Sequence, residues 1–148
     1  MKEITVGFSK PVKFFSPFSW AIRLYENTEY SHVYVKWSTS VGPEIIYQAS
    51  KSSVNFVGNN LFKKAVNVVE EYKFILTDEE FKNLNIFCIN NAGISYSITQ
   101  ILGITIAEIF RLKTNHFYNG SIAYVCCVLV AGIFNNVMGL ILCKNQHL

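Results

Sequence analysis

Apolar and polar residues alternate over the first half of the chain and then change period. Ile4, Val6 and Phe8 alternate with Thr5 and Gly7, as in a strand with one face toward a core. The run from Tyr30 to Trp37 is the clearest strand: Ser31, Val33, Val35 and Trp37 share one face, Tyr30, His32, Tyr34 and Lys36 the other. A turn through Ser38–Pro43 leads to a second strand, Glu44 to Ala49, with Glu44, Ile46 and Gln48 on one face. Val54–Val57 and Val66–Ile75 read as further strands, joined by Gly58-Asn59-Asn60 and a short segment at Leu61–Lys64. Together they predict a five-stranded or similar antiparallel sheet. Neighbouring antiparallel strands would let His32 and Gln48 meet as a cross-strand pair, with the register left open.

Helical signals take up the remainder. Ser16-Pro17 before Phe18, Trp20, Ile22 and Leu24 reads as a capped helix with Pro in its first turn, stopping at Glu26-Asn27-Thr28. Thr77-Asp-Glu-Glu80 is a capping box, followed by Phe81, Leu84 and Phe87-Cys88 at helical spacing and ended by Asn90-Asn91-Ala-Gly93. Ser95–Leu112 is a further apolar, helical segment. After the polar residues Asn115 to Gly120 comes a run in which Cys126, Leu129, Val130, Ile133, Phe134 and Val137 fall on one stripe. Residues 121–143 carry no charge and have the length of a spanning helix. Asn135-Asn136 interrupts them and no basic cluster precedes them, so a buried core helix ending near Asn135 is expected rather than a membrane anchor.

A chain of 148 residues that is 51% hydrophobic and 16% charged is expected to form one α+β domain, residues 1–148, an antiparallel sheet packed against helices. The same composition excludes disorder. The net charge of +3 is small and its Lys and Arg are scattered, which excludes a nucleic-acid-binding surface. The four cysteines, 88, 126, 127 and 143, have neither zinc-site spacing nor the look of a disulfide framework. Neither a metal nor an organic cofactor is implied. The N-terminus lacks the apolar core of a secretory signal, so a reducing, cytoplasmic setting is expected.

A cysteine near a helix N-terminus sits where unpaired N–H groups and the helix dipole favour the thiolate. A strand histidine and a polar residue on the next strand complete the set that nucleophilic catalysis by a thiol requires: nucleophile, base and orienting group. Tyr30-Ser-His-Val-Tyr-Val35, Ile46-Tyr-Gln-Ala49, Gly93-Ile-Ser-Tyr96 and Tyr124-Val-Cys-Cys-Val-Leu-Val130 stand in an order that resembles the circularly permuted NlpC-type branch of the papain-like cysteine peptidases and acyltransferases. That resemblance covers roughly residues 4–135 and implies a permuted papain-like fold. It makes Cys126 the nucleophile, His32 the base and Gln48 the third polar residue, with Glu44 as an alternative orienting group. Cys127 is a rival nucleophile, because Cys127-Val128 stands where the family has Ser-Glu. Tyr30, Tyr96 and Tyr124 are the expected substrate-binding side chains. The implied activity is hydrolysis of an amide, of the peptidoglycan stem-peptide type, or of another acyl bond through a thioester. A small domain without a wall-binding repeat also suits a phage-encoded protein placed in the virion among other virion proteins. The replacement of a carboxylate by Gln48 and the lost Ser-Glu pair motivate an alternative, a catalytically silent domain with a structural or binding role.

Overall fold

A computed structural model describes residues 1–12, 19, 23, 27–50, 53–95 and 126–139, the side chain of Cys127 excepted. Most of the expected helix over 16–25, the segment after Ser95, and Tyr96 and Tyr124 lie outside the described residues. Five strands form one antiparallel sheet: β1 (Lys2–Pro11), β2 (His32–Ser38), β3 (Glu44–Ser50), β4 (Ser53–Gly58) and β5 (Val66–Leu76). Their order across the sheet is β4-β3-β2-β1-β5, so β2 and β1 hold the middle. Three helices accompany them: α1 (Asn59–Ala65), α2 (Asp78–Asn91) and α3 (Cys126–Met138).

The sheet is covered on both faces, which the alternation along β2 explains. Val33, Val35 and Trp37 join Ile4, Val6, Tyr47 and Ala49 in the larger core, closed by Leu84 and Cys88 of α2 and by Leu129, Val130, Ile133, Phe134 and Val137 of α3. The opposite face carries Tyr34 and Ile46, against which α1 sets Phe62. Five of the six residues on the apolar stripe expected for α3 are buried, and Cys126 is half-buried against the same core. The capping box at Thr77 is present in full: Glu80 N–H donates to the Thr77 hydroxyl, and Thr77 N–H donates to the Glu80 carboxylate.

α3 does not end at Asn135 but runs on to Met138. The Asn136 side chain donates back to the Gly132 carbonyl at 2.8 Å, so the second asparagine is absorbed into the helix instead of breaking it. Gly139, at φ +65°, stops the helix in the left-handed conformation that glycine adopts at least cost. No helix among the described residues is long and apolar enough to span a bilayer.

Candidate active site

His32 opens β2 and pairs with Ser9 of β1, so the two side chains leave the sheet on the same face. That is the α1 face, where the imidazole lies 6.4 Å from the Phe62 ring, centroid to centroid. On the other side of His32, β3 pairs Gln48 with Tyr34, which places Gln48 diagonally across from His32 rather than directly opposite. The diagonal is short enough for a long side chain to cross. His32 Nε2 and Gln48 Oε1 are 2.8 Å apart, so the structure brings two of the three expected catalytic residues together.

The hydrogen bonds continue outward from Gln48. Its Nε2 donates to Asn55 Oδ1 at 3.3 Å, and Asn55 Nδ2 donates to the Ser53 backbone carbonyl at 3.0 Å. Gln48 and Asn55 are directly paired across β3 and β4, which makes this a row running over three strands. At the far end of the row Ser9 is fully buried, and its hydroxyl finds no hydrogen-bond partner among the described residues. Beside Ser9 the pairing of β1 with β5 shifts by one residue, with Val69 of β5 extra, a bulge of the kind that re-aims side chains near functional sites. Sequence reasoning overlooked Asn55 and Ser9. Their only signal was to be the polar members of alternating strands, a property shared with many solvent-facing residues.

Although His32 as a residue keeps some exposure, its ring is closely surrounded by protein. This desolvation lowers the imidazole pKa below its ordinary 6.5, and the bond to Gln48 offsets only part of the effect. Gln48 carries no charge with which to stabilise imidazolium. The ring is therefore held neutral in the folded protein at and somewhat below neutral pH. The unfolded chain takes up a proton below about pH 6.5 that the folded chain does not. Stability should thus fall as pH drops through the window beneath 6.5 and level off once the folded ring titrates. Thermal unfolding followed from about pH 7.5 to 5 should show His32→Gln losing less stability over that window than the unaltered protein. Parallel curves would mean that the ring is not desolvated as described.

Cys126 opens the described part of α3, which packs on β2, β3 and α2. The pleat puts the His32 side chain on the α1 face while α3 covers the other, so a meeting of thiol and imidazole has to occur around the end of β2. Glu44, the alternative orienting group, is engaged elsewhere: it accepts from the Asn59 amide and pairs with Lys36 at 3.8 Å, four residues along β3 from Gln48. Tyr30 packs its ring on Phe8 with centroids 4.6 Å apart, and Phe8 in turn meets Tyr72 edge-on at 6.0 Å. Phe8 is half-buried against the larger core, so Tyr30 sits at the edge of that core and not in the His32 row. Tyr96, Tyr124 and the side chain of Cys127 are outside the described residues. Cys88 is buried in the core, and desolvation pushes its thiol well above the ordinary range, an inert setting for a cysteine.

No protein-family model matches this chain, and no curated protein does. Among solved structures it is similar to the metalloprotein YiiX from Escherichia coli O157:H7, described under DUF1105, at TM-score 0.62 and 17% identity. The match covers 98% of this chain and 69% of that one. At this identity the likeness is one of fold. It overturns the assignment to the NlpC-type papain-like branch. The motifs behind that assignment are four to seven residues long. A strand entering a core and a buried helix select the same β-branched, aromatic and small residues whatever the family.

Proposed function

We propose that this chain is a cysteine hydrolase cleaving an amide or other acyl bond, with Cys126 as nucleophile, His32 as base and Gln48 as the group that orients the imidazole. The observation that carries the reading is the 2.8 Å bond between His32 Nε2 and Gln48 Oε1. A carbonyl oxygen can only accept, so Nε2 carries the proton and Nδ1 keeps its lone pair. Nδ1 takes the Cys126 proton as sulfur attacks the acyl carbonyl, and the imidazolium returns it to the departing amine or alcohol. Water then attacks the thioester, losing a proton to Nδ1, and the imidazolium returns that proton to the departing sulfur, which frees the acid and restores the thiol. Burial disfavours a resting imidazolium by more than the Gln48 bond favours it. Proton transfer therefore accompanies attack, and no ion pair is stored beforehand. In this reading the thiol, carried at the start of the described part of α3, reaches the imidazole around the end of β2, which His32 opens.

The reading stops at the kind of bond. A stem-peptide substrate and a virion setting came from the family resemblance and lose that support with it. The YiiX structure is described as that of a metalloprotein; here no group of three or more His, Cys, Asp or Glu among the described residues is placed to hold a metal ion, and no step runs through one. A second reading, a catalytically silent binding domain, draws on the pleat that sets His32 on the face away from α3.

Capture of the acyl-enzyme decides between them. Incubated near neutral pH with an activated ester such as p-nitrophenyl acetate, the protein should gain one acetyl group, located on Cys126 by peptide mass mapping. Cys126→Ser should lose it and Cys127→Ser keep it. Acetyl on Cys127 would reassign the nucleophile, and no thiol acylation at all would leave the silent reading standing.

A further inference from the structure

The amide row beside His32 has a fixed polarity, and that polarity is set far from the imidazole. A backbone carbonyl has no proton to give, so at Ser53 the contact can run in one direction only: Asn55 Nδ2 donates. With its nitrogen committed to Ser53, Asn55 presents Oδ1 to Gln48, and Gln48 must answer with Nε2. The remaining face of the Gln48 amide is Oε1, which lies against His32 Nε2. Each amide in the row is turned by the one before it. Reversing Asn55 would set oxygen against oxygen at Ser53 and N–H against N–H at Gln48, and reversing Gln48 would set oxygen against oxygen at Asn55.

The carbonyl at the head of the row is itself well fixed. Ser53 and Ser50 are paired where β4 turns back from β3. On its other edge β4 is tied to the segment after α2, with Val54 N–H donating to Ile94 O and Gly93 N–H donating to Val54 O, each at 2.8 Å. Ser53 also forms a bridge with Ser95. Asn55 itself is half-buried, which shields the row from competing water.

We infer that Asn55 is a positioning residue: by fixing which way the Gln48 amide faces, it holds His32 in the tautomer with the proton on Nε2 and the lone pair on Nδ1. The catalytic meaning of this rests on the function proposed above; the tautomer itself does not. Gln48 is neutral and can offer an imidazole either its oxygen or its nitrogen. A carboxylate in its place would need no such control, since both of its oxygens accept. Asn55 supplies the discrimination that the choice of glutamine forfeits.

Nitrogen chemical shifts of ¹⁵N-histidine-labelled protein read the tautomer directly, with the His32 signals identified by their loss in His32→Gln. Near neutral pH the unaltered protein should show a protonated Nε2 and an unprotonated Nδ1. Asn55→Asp removes the donor to Ser53 but keeps an acceptor for Gln48 Nε2, so its pattern should stay. Asn55→Leu frees Gln48 to turn, and the two His32 nitrogens should move toward each other as the tautomers mix. A merely structural role would disturb both variants alike. If the wild-type proton sits on Nδ1, or if Asn55→Leu leaves the pattern unchanged, the inference is wrong. The rate of Cys126 acylation gives the second readout: it scales with the competent fraction, so an even mixture gives about a twofold loss in Asn55→Leu. An unaltered protein with the expected tautomer pattern but no acylation would sink the hydrolase and leave the positioning role intact.

Discussion

Gly7→Ala should lower the stability of this protein by about 3 kcal/mol, the largest loss expected from adding a single methyl group. Gly7 lies inside β1, paired with Tyr34 on one side and Glu71 on the other. The Tyr34 ring leans across it so that its hydroxyl donates to Glu71 at 2.7 Å. A methyl group on Gly7 would run into Cζ and Oη of that ring and stand 2.7 Å from Cε1. The ring has nowhere to go: Tyr34 is 1% exposed, and Phe62 packs on it edge-on with centroids 4.5 Å apart. The anchor at its tip is also firm. Burial acts to raise the Glu71 pKa, but Lys36 and the Tyr34 hydroxyl outweigh it and keep the carboxylate charged. Overpacking of this kind costs about 1–3 kcal/mol, and losing a hydrogen bond to a charged group about 1.5–3. Alanine's stiffer unfolded chain returns only about 0.5–1. At roughly 3 °C per kcal/mol for a domain of this size, Tm should fall by about 10 °C. Tyr34→Phe loses the hydrogen bond without the collision and should fall between. Denaturant unfolding that puts Gly7→Ala within about 0.5 kcal/mol of the unaltered protein would refute the packing described here.

That glycine shows where sequence and structure part company. The strands were legible because β1 to β5 alternate and because turn residues separate them, and the stripe on α3 was legible because its apolar residues keep a helical period. The Thr77 capping box could be read letter by letter. What alternation does not carry is how deeply each face is covered. Tyr34 and Lys36 read as the polar side of β2, yet α1 and β5 close over Tyr34 and pair Lys36 with Glu71 at 2.8 Å. The Gly7–Tyr34 contact joins residues 27 positions apart, through a register that the sequence leaves open. His32 and Gln48 were expected to meet and do, but across a diagonal, since the register pairs Gln48 with Tyr34. Asn55 could be recognised only once that diagonal was known. The family resemblance failed for a related reason: short strand and helix motifs report local structure, and local structure is shared by unrelated chains.

Replacing His32 by alanine should slow acylation of Cys126 near neutral pH by about 10²–10⁴-fold, the usual worth of a positioned general base. The pH dependence should change as well as the rate. In the unaltered protein the rate follows the neutral fraction of His32, whose pKa desolvation has moved below 6.5. It should therefore rise from acid pH and level off at lower pH than an ordinary imidazole would give. Without the imidazole only the thiolate reacts unaided, so the variant's rate should instead keep climbing as the thiol ionises. Gln48→Glu provides a check of opposite sign. A carboxylate at that position stabilises imidazolium, raises the His32 pKa and should carry the acid limb of the profile to higher pH. Imidazole added to His32→Ala should restore part of the rate if the space left by the side chain admits it. Rates that are equal in the two proteins, or a wild-type profile that already tracks the thiol, would mean that His32 takes no proton from Cys126. The row from Ser53 through Asn55 and Gln48 would then serve to satisfy an enclosed imidazole, and the burial that holds His32 neutral would bear on stability alone.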